Sequence, residues 1–470
     1  MGDLAKNFLS PEGRKRCASA IEYLQQHYGP RCSTGQAIRE QHGRGEALDA
    51  GDPPDAVIWP ESTLEVSDIV SLCARKQVPV IAFGAGSSLE GHVSAPYGGI
   101  CMDLSRMDQV LRVSSEDADC TVQAGVTREG LNDYLRDTGL FFPVDPGANA
   151  TLGGMVSTRA SGTTTVRYGA MPQHVLALQV VMANGHVIEC GTRARKSSVG
   201  YDLVRLFTGS EGTLGIVTEI TLRIHARPEA VGCLTCAFPS MREAVDAVTE
   251  LSMTGLGLAR IEFLDERQVK ACNQYSALDL PESPMLFIEL HGPRTGIEEQ
   301  IIQAQEIAHE HGGGHFRSST RVEDHNTLWR ARHHAYFAAL ASRPGCEAMV
   351  TDVCVPISAL ADCIIDTRRD IDAAGLQAPI LGHVGDGNFH VIFLLEPGDG
   401  AERERADKVH EALIARALSA GGTCSGEHGI GLGKRGQLIA EAGEEVVGLM
   451  QALKTAWDPG YILNPGKLFF

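Results

Sequence analysis

Two glycine-rich segments in the C-terminal half of the chain carry the residues best suited to bind a metal. The first, GHVGDGNFH at residues 382–390, holds His383 and His390 with six residues between them. The second, CSGEHGIG at residues 424–431, supplies the carboxylate of Glu427. Two histidines and a carboxylate with open coordination positions form a recognised ligand set for catalytic divalent metals. We therefore predict that these three residues hold Zn, Mn or Fe. The alternative is a pair of ordinary glycine-rich loops whose histidines bind backbone groups.

The elements that must position these side chains are turns and a strand. Gly382, Gly385 and Gly387 suit tight turns, because glycine adopts backbone conformations that other residues avoid. The apolar run HVIFLL, which starts at His390, predicts a strand. A histidine between a turn and a strand is held rigidly, as a metal ligand must be.

The composition describes a globular, acidic protein of more than one domain. The chain has 470 residues, of which 43% are hydrophobic and 21% charged, and this length exceeds what one hydrophobic core usually serves. The formal net charge of −18 argues against nucleic acid or an anionic membrane as the main partner, because phosphates would be repelled. An anionic substrate would therefore need local positive charge from an arginine or a metal.

The cysteines and the apolar runs bear on redox state and location. Thirteen cysteines occur without a repeating spacing, which indicates reduced thiols used as small core residues. The CxxC pair, Cys233 and Cys236, lies in the apolar run VGCLTCAF and is better explained as part of a strand. No segment has the ~18 consecutive apolar residues of a membrane span, and no signal peptide is visible. We expect a cytoplasmic location, with peripheral docking at a membrane left open.

The N-terminal half begins with a β-α-β pattern and a glycine-rich loop. After a polar, helical stretch, AVIWP predicts a strand, Ser62 begins a helix, and VPVIAF predicts a second strand. The loop GAGSSLEGHVSAPYGG follows at residues 84–99. A dinucleotide-binding fingerprint would open a helix here, but the density of proline and glycine prevents one. We predict instead a nest of backbone N–H groups, with Ser87 and Ser88 as donors, around a diphosphate. An ordinary glycine-rich turn is the alternative.

Two further clusters of glycine and hydroxyl residues strengthen the prediction of a large bound ligand. Residues 145–169, DPGANATLGGMVSTRASGTTTVRYG, hold too many of both for a packed helix or strand. A hairpin turned at Asn184–Gly185 comes next. GSEGTLG at residues 209–215 then leads into an alternating strand. Three such clusters could cradle a long, phosphate-bearing molecule.

From about Val231 the pattern changes to alternating strands and helices. CLTCAFPS, ARIEFLD and PMLFIELHG predict strands, with the helix MREAVDAVTELS between the first two. This order predicts an antiparallel sheet with helices on one face, which would cap a bound ligand. A further helix, from Asp324, carries Arg332. The helices over residues 402–419 and 444–456 are expected to pack on the N-terminal domain.

Together these segments resemble a known flavoprotein superfamily. The three clusters, in this order and spacing, are similar to the FAD-binding domain of the vanillyl-alcohol oxidase and p-cresol methylhydroxylase (PCMH) superfamily. GHVGDGNFH, SGEHGIG and DPGYILNPGKLF resemble its FAD-linked D-2-hydroxy-acid dehydrogenases, nearest to the D-lactate dehydrogenase (cytochrome) group. The resemblance extends from about Pro53 to Phe470.

The resemblance implies an α+β fold. An N-terminal helical segment, residues 1–52, would precede a two-subdomain, PCMH-type FAD-binding domain at residues 53–230. A cap or substrate domain, built on an antiparallel sheet and carrying the metal site, would span residues 231–425. Residues 426–470 would form a C-terminal helical segment that returns to the FAD domain.

The resemblance also assigns residues to FAD. The first loop would contact the diphosphate, the second cluster would lie near the ribityl chain and the isoalloxazine ring, and the third would close the adenine side. No histidine or cysteine lies beside Ser87 and Ser88, so we expect noncovalent FAD. The full set is Gly84, Ala85, Gly86, Ser87, Ser88, Gly91, Gly147, Thr151, Gly154, Ser157, Gly162, Gly215, Val217 and Asn464.

The implied activity is FAD- and metal-dependent oxidation of a small D-2-hydroxy acid, D-lactate preferred, to the 2-oxo acid. Arg332 would bind the substrate carboxylate as a bidentate cation. His428 would contact the substrate and take its hydroxyl proton as the catalytic base. Neighbours in an extended segment point to opposite sides, so Glu427 and His428 would serve metal and substrate separately. Electrons would pass to an external cytochrome, quinone or electron-transfer protein, because no haem or iron–sulfur motif is visible.

Three alternative functions stay open at this point. The chain could be the flavin subunit of a glycolate dehydrogenase complex or a D-2-hydroxyglutarate dehydrogenase. Against the latter, Thr351 in AMVTDVCVP stands where relatives that oxidise 2-hydroxyglutarate carry a lysine. The third alternative is a non-catalytic FAD- or metal-binding assembly subunit, although such a module needs no base beside its metal. The oligomeric state is open, with a homodimer as one option.

Overall fold

The structure, a computed structural model, describes residues 6–46 and 51–469 of the chain. Its contacts divide the protein into two compact units. Unit 1 comprises Met1–Ser161, Ala170–Arg227 and Glu427–Phe470, and unit 2 comprises Gly162–Gly169 and Pro228–Gly426. Residues 162–169, which the sequence analysis assigned to the FAD-binding domain, therefore group with unit 2.

Strands of two to eight residues alternate with helices along most of the described chain. The strands are β1 (Cys32–Ser33), β2 (Ala56–Ile58), β3 (Val80–Phe83), β4 (Ile100–Asp103), β5 (Val110–Ser114), β6 (Asp119–Gln123), β7 (Leu140–Phe141), β8 (Val175–Val181), β9 (Val187–Gly191), β10 (Ile216–Arg223), β11 (His225–Ala226), β12 (Ala230–Ala237), β13 (Leu258–Leu264), β14 (Met285–Gly292), β15 (Gly314–Ser319), β16 (Glu347–Val350), β17 (Val353–Cys354), β18 (Ile380–Gly382) and β19 (Asn388–Leu395).

The α-helices range from single turns to twenty residues. They are α1 (Pro11–Tyr28), α2 (Gln36–Gly43), α3 (Thr63–Lys76), α4 (Arg128–Leu135), α5 (Leu152–Thr158), α6 (Thr165–Tyr168), α7 (Met171–His174), α8 (Leu203–Phe207), α9 (Met241–Ser252), α10 (Glu266–Ser276), α11 (Ile297–Glu310), α12 (Val322–His333), α13 (Ala335–Ser342), α14 (Ile357–Ala373), α15 (Gly400–Ser419), α16 (Arg435–Ala442) and α17 (Glu444–Trp457).

The first sheet of unit 1 has the strand order β1-β2-β4-β3, and β2, β3 and β4 run parallel. Helix α3 connects β2 with β3. It begins after Ser62, which caps its first turn, and Val66, Ile69, Val70 and Cys73 are buried on one face. The predicted β-α-β start is therefore confirmed.

The second sheet of unit 1 is antiparallel, with the order β5-β6-β10-β8-β9. Its strands β8 and β9 form the predicted hairpin. Gly185 in the turn has a φ of 84°, and a Cβ there would come within 1.8 Å of Ser71 Oγ. Only glycine fits such a turn without displacing its neighbour, so the hairpin prediction is confirmed.

The C-terminal part of unit 1 completes the first sheet. Val80 of β3 donates a backbone hydrogen bond to Ile462 over 2.7 Å and accepts one from Asn464 over 2.8 Å. The buried Lys454 of α17 donates to the carbonyl oxygens of Thr213 and Leu463 over 2.7 and 2.8 Å. Helix α17 is thus part of unit 1.

Unit 2 is built on one antiparallel sheet of the order β15-β12-β14-β13-β18-β19-β16, with β17 also paired to β19. A Cβ at Gly232 would touch Ile301 of α11. Gly232 pairs with Leu290 of β14, whereas Phe287 of β14 contacts Trp329 of α12. Residues three apart in a strand face opposite sides, so helices cover both faces. The expectation of helices on one face is wrong, because the central strands are buried on both sides.

Two helix predictions are also corrected. The helix expected from Asp324 is interrupted, since α12 ends at His333 and α13 begins at Ala335. The intervening His334 has φ −92° and ψ 4°, which is not helical. Helix α15 belongs to unit 2 and packs on α14 and β19, so the expectation that it packs on the N-terminal domain is wrong.

The cysteines agree with the expectation from the sequence. All thirteen cysteines are free thiols, and Cys233 and Cys236 lie within β12 as buried strand residues. Among the helices of residues 6–46 and 51–469, none is long and apolar enough to cross a membrane.

Candidate active site

His383 and His390 lie close together in unit 2. His383 follows β18, and His390 is the third residue of β19, the antiparallel partner of β18. Their ring centroids are 5.6 Å apart, and one ring nitrogen of each lies within 4.8 Å of one of the other. Gly387 turns the chain between them with a φ of 79°, and a Cβ there would come within 1.9 Å of the carbonyl oxygen of Val355. The glycine-rich turn therefore brings the two imidazoles together.

Each of these imidazoles is held by a hydrogen bond from its Nδ1 atom. His383 Nδ1 donates to Oε1 of Glu262 over 2.6 Å, and His390 Nδ1 donates to the carbonyl oxygen of Thr351 over 2.9 Å. With the proton on Nδ1, Nε2 presents a lone pair, which is the usual arrangement of metal-ligating histidines. The chemistry of this donor pair therefore fits a divalent metal.

Glu262 of β13 is a fully buried carboxylate with two partners. Its Oε1 accepts the hydrogen bond from His383, and its Oε2 accepts one from Nε of Arg332 over 2.5 Å. Burial acts to raise the pKa of this carboxyl, but Arg332 and His383 outweigh burial and hold the pKa below its usual range. The carboxylate of Glu262 thus contacts both Arg332, which is predicted to bind the substrate, and His383, which is predicted to bind the metal.

A second buried carboxylate fixes the helix that carries Arg332. Glu289 of β14 accepts hydrogen bonds from His325 of α12 over 2.5 Å, from His291 over 2.6 Å and from Arg260 over 2.9 Å. Burial acts to raise its pKa, yet the two histidines and the arginine hold the pKa far below the usual range. Helix α12 is therefore anchored to the sheet at His325 and, about two turns later, at Arg332.

Asp352 is a further candidate ligand that the sequence analysis missed. One of its carboxylate oxygens lies within 4.8 Å of a ring nitrogen of His390. Its Oδ1 accepts from the side-chain amide of Asn388, and its Oδ2 accepts from the hydroxyl of Ser425, each over 2.9 Å. Asp352 therefore fastens the chain just before Glu427.

Glu427 and His428 begin the C-terminal part of unit 1. Glu427 Oε2 accepts a hydrogen bond from Ser161 Oγ over 2.9 Å. His428 Nε2 lies 3.8 Å from Glu427 Oε1, and its Nδ1 lies 3.9 Å from Oε1 of Glu90. The expectation that the two side chains point to opposite sides is wrong, because the chain bends at both residues and is not an extended strand.

The first glycine-rich loop of unit 1 contains no helix, as predicted. Gly86 has a φ of 70°, and a Cβ at Gly84 would come within 2.2 Å of Thr151 Oγ1. The hydroxyl oxygen of Ser88 is buried and has no hydrogen-bond partner among the described residues. The buried hydroxyl of Ser88 thus lies in a loop whose glycines leave the backbone N–H groups accessible to a ligand. These groups fit the diphosphate of FAD, because its phosphate oxygens would accept the hydrogen bond that Ser88 lacks.

Several other residues predicted to bind FAD make hydrogen bonds within unit 1. Thr151 accepts from the N–H of Gly154 over 3.3 Å and so caps α5, and Ser157 donates to a carbonyl one turn earlier over 2.8 Å. The side-chain amide of Asn464 donates to the carbonyl oxygen of Glu211 over 2.7 Å. These contacts fix the backbone around the predicted FAD site.

The remaining predicted FAD residues occupy different environments. Gly162 lies in unit 2, whereas the rest lie in unit 1. Gly147 is exposed, and the side chain of Val217 is part of the hydrophobic core, so only the main chain of Val217 would meet a ligand. Three other predicted FAD residues, Ala85, Ser87 and Gly91, lie in the first loop with Ser88. Gly215 lies directly before β10.

Glu211, in the third cluster, is a second functional candidate that the sequence analysis missed. Its carboxylate accepts backbone hydrogen bonds from Ile430 over 2.7 Å and Gly431 over 2.8 Å, and lies 3.2 Å from His92 Nε2. Burial acts to raise its pKa, but His92 and these N–H groups hold the pKa below its usual range. The available signal for Glu211 was one carboxylate among small residues in GSEGTLG. For Glu262 it was an acidic residue in the middle of the predicted strand ARIEFLD.

Family comparisons match most of the chain. Residues 54–191 match the FAD binding domain, and residues 227–468 match the FAD linked oxidases, C-terminal domain. The chain is 48% identical over 439 residues to a Danio rerio protein named probable D-lactate dehydrogenase, mitochondrial, covering 93% of this chain and 88% of that one. It is 43% identical over 415 residues to an Arabidopsis thaliana protein named D-lactate dehydrogenase [cytochrome], mitochondrial, covering 88% of this chain and 73% of the other.

Solved structures share the fold at low sequence identity. The 4-ethylphenol oxidase of Gulosibacter chungangensis superposes with a TM-score of 0.79 at 21% identity and covers 97% of both chains. An identity this low bears on the fold alone. P-cresol methylhydroxylase superposes with the same TM-score of 0.79 at 17% identity, and together with the two family matches this confirms the predicted PCMH-type fold.

Proposed function

The chain belongs to the FAD linked oxidases, and from this premise we propose that it oxidises D-lactate, or a similarly small D-2-hydroxy acid, to the 2-oxo acid with the help of a divalent metal. That it is an FAD-linked oxidoreductase follows from the family. The relatives named D-lactate dehydrogenase support the choice of substrate. The observation that carries the proposal is that Arg332 and His383 bind the two oxygens of one buried carboxylate. Arg332, which would bind the substrate carboxylate, and His383, which would bind the metal, are therefore next to each other.

Arg332 supplies the fixed positive charge that a 2-hydroxy acid requires. The protein has a net charge of −18, so an anionic substrate needs a local cation. A guanidinium stays charged at any working pH and binds a carboxylate through two parallel hydrogen bonds. Because Nε of Arg332 is bound to Glu262, the edge formed by its two terminal nitrogens would meet the substrate.

His383, His390 and Glu427 would hold the metal, which would supply a Lewis acid that lowers the pKa of the substrate hydroxyl. The Nδ1 hydrogen bonds of both histidines support their role. Glu427 is supported by chain continuity, since it follows Gly426 directly and a Cβ at Gly426 would lie within 2.4 Å of Asn388 Nδ2. Asp352 is the alternative third ligand, because its carboxylate is close to His390.

His428 would accept the hydroxyl proton. The carboxylates of Glu427 and Glu90 flank its two ring nitrogens at 3.8 and 3.9 Å, which favours an imidazole that can carry a positive charge after proton transfer. The FAD held by unit 1 would supply the two-electron oxidant that the removal of the α-hydrogen requires. The first loop would hold the diphosphate through its backbone and the buried hydroxyl of Ser88.

We propose a cytochrome as the electron acceptor, because the Arabidopsis relative is named D-lactate dehydrogenase [cytochrome]. An acidic protein associates readily with a basic partner, because complementary charge accelerates encounter. Reduction of a basic cytochrome c by D-lactate should therefore be fast at low ionic strength and slow steeply with added salt.

The test is a steady-state comparison of D-lactate, L-lactate, glycolate and D-2-hydroxyglutarate with an artificial electron acceptor. We expect D-lactate to give the highest kcat/KM, chelation to remove activity, and readdition of the metal to restore it. His383→Ala should stay inactive after metal is added. A preference for glycolate or for an L-acid would refute the proposed substrate, and full activity after exhaustive chelation would refute the metal.

A further inference from the structure

We propose that Glu262 is a positioning residue shared by the metal and the substrate, so that one buried carboxylate sets both the affinity for the metal and the binding of the substrate carboxylate. The inference deepens the proposed function and rests on it. It differs from the ligand assignments above because Glu262 itself would touch neither metal nor substrate. It would act through His383 on one side and through Arg332 on the other.

On the His383 side, Glu262 selects the form of the imidazole. A carboxylate can accept but cannot donate, so the 2.6 Å contact places the proton on Nδ1. The ring is then oriented with Nε2 as the ligand atom. Carboxylate–histidine–metal arrangements of this kind raise the basicity of the ligand, and loss of the carboxylate typically weakens metal binding about 10–100-fold.

On the Arg332 side, Glu262 limits the freedom of a long side chain. Arg332 is anchored through Nε at 2.5 Å, and its side chain is only 14% exposed. A planar guanidinium held at Nε has a fixed orientation of its two terminal nitrogens. Without this anchor, the arginine would lose conformational entropy when it binds a carboxylate, which would weaken substrate binding.

A single substitution of Glu262 should affect both its contact with His383 and its contact with Arg332. The proposal can therefore be tested by measuring metal binding and substrate binding in the same variant. Glutamine has one acceptor oxygen and one donor NH₂ group, so Glu262→Gln can accept from His383 or from Arg332 but not from both. Aspartate keeps the charge but is shorter by one methylene, about 1.5 Å, and cannot reach both partners at 2.5 and 2.6 Å. Both variants should therefore impair two measurable properties.

A purely structural role is the competing explanation, and Glu289 is the matched control. Like Glu262, it is a buried carboxylate on a neighbouring strand, and it binds α12 through His325. Its other partners are Arg260 and His291, so it does not contact the predicted metal ligands. If loss of a buried carboxylate merely loosens the sheet, Glu289→Gln should weaken metal binding as much as Glu262→Gln does.

The experiment uses the full-length, FAD-loaded protein stripped of metal with a chelator. Zn²⁺ and Mn²⁺ are titrated by calorimetry into wild type, Glu262→Gln, Glu262→Asp, Glu289→Gln and His383→Ala, and thermal unfolding is recorded for each. Steady-state KM and kcat for D-lactate are then measured at saturating metal. We expect Glu262→Gln and Glu262→Asp to raise the metal Kd about 10–100-fold and Glu289→Gln to leave it within about threefold of wild type. At saturating metal, both Glu262 variants should raise KM more than they lower kcat.

The outcomes separate this inference from the proposed function. If wild type binds metal and His383→Ala does not, but Glu262→Gln and Glu262→Asp bind it as tightly as wild type, the shared role of Glu262 is refuted while the metal site stands. An equal loss of metal affinity in Glu289→Gln refutes it as well. Wild type that takes up neither ion would overturn the proposed metal site and this inference with it.

Discussion

His390 donates a hydrogen bond from Nδ1 to the carbonyl oxygen of Thr351 over 2.9 Å, and the hydroxyl of Thr351 accepts the N–H of Val391 over 2.9 Å. Thr351 is fully buried, and its own N–H donates to the carbonyl oxygen of Val391 in β19 over 3.0 Å. Its side chain is therefore committed to holding the strand that carries His390. Thr351 itself carries no charge, Met349 and Val353 beside it are buried and apolar, and the adjacent Asp352 is a buried carboxylate that would repel a second anion.

The first prediction concerns the size and charge of the substrate. A second substrate carboxylate near Thr351 would be desolvated without a cation, at a cost of several kcal/mol. We expect D-lactate and D-2-hydroxybutyrate to exceed D-2-hydroxyglutarate in kcat/KM by on the order of a hundredfold or more. Measuring the three acids with one acceptor tests this, and comparable values for lactate and 2-hydroxyglutarate would contradict it.

The second prediction separates the roles of Glu427 and His428. His428→Ala should keep both FAD and metal but lose turnover by roughly two to four orders of magnitude, the usual range for a positioned acid–base group. Glu427→Ala should lose the metal, because a ligand is removed. Metal content by atomic emission and the flavin absorbance of each purified variant are the measurements.

Asp352→Asn is the control for this division of roles. Asparagine can still accept from Asn388 or Ser425 but carries no charge, so it tests whether the Asp352 carboxylate is a ligand. Retention of metal by Asp352→Asn supports Glu427 as the third ligand. Loss of metal in Asp352→Asn together with retention in Glu427→Ala would reverse the assignment.

The third prediction concerns Ser88. Its buried hydroxyl lacks a partner among the described residues, so we expect it to donate to the FAD diphosphate. A hydrogen bond to a charged group contributes about 1.5–3 kcal/mol, so Ser88→Ala should weaken FAD binding by roughly 10–100-fold in a flavin fluorescence titration. Ser114→Ala, which removes a hydroxyl bound to Asp117, should leave FAD binding unchanged. Unaltered FAD affinity in Ser88→Ala would argue against this contact.

The fourth prediction is that the flavin is noncovalent. No histidine or cysteine stands beside Ser87 and Ser88, and the ring of His92 faces the carboxylate of Glu211 at 3.2 Å. Acid precipitation of the purified protein should therefore release all the yellow colour into the supernatant. Flavin that stays with the precipitate would show a covalent bond.

The fifth prediction is a loss of stability in mild acid caused by His174. Burial lowers the pKa of His174 from 6.5 to about 4, while its Nε2 lies 3.2 Å from that of His225. The unfolded chain therefore binds more protons than the folded protein between pH 6.5 and 4, so the free energy of unfolding falls as the pH falls through this window. Between neutral pH and pH 4, His174 should lower the free energy of unfolding by about 3 kcal/mol.

Urea denaturation at several pH values between 4 and 7 measures this effect. In His174→Gln the free energy of unfolding should fall less steeply towards acid than in wild type, because a titrating group is removed. His27→Gln changes an exposed histidine of α1 and should keep the wild-type slope. Equal slopes in wild type and His174→Gln would rule out His174 as the source.

Local signals in the sequence predict much of the fold. The cap at Ser62, the hairpin turn at Gly185 and the helix-free loop before β4 each depend on residues a few positions apart, and the structure has all three. The break at His334 was missed because TLWRARHHAYFAALA contains neither proline nor glycine. The residues on either side of the break, Trp329 and Ala335, are both buried in the core of unit 2.

The supporting residues of the candidate site could not be found in this way. Glu262 meets Arg332 and His383 at separations of 70 and 121 residues, and Glu211 meets Gly431 at a separation of 220. A single carboxylate in an apolar strand indicates that a buried partner exists. It does not identify the partner, because pairing over such distances is decided by the packing of the whole sheet.

The return of residues 427–470 to unit 1 has a consequence for how the protein is made. Ile462 and Asn464, the backbone partners of Val80, are synthesised only after the whole of Pro228–Gly426. Unit 2, apart from its short segment Gly162–Gly169, is contiguous, so all its residues are present before those of unit 1 are complete. Unit 1 keeps an unpaired β3 edge until residues 462–464 have been made, so its completion depends on a long-range pairing, and unpaired strand edges are in general sites where chains associate.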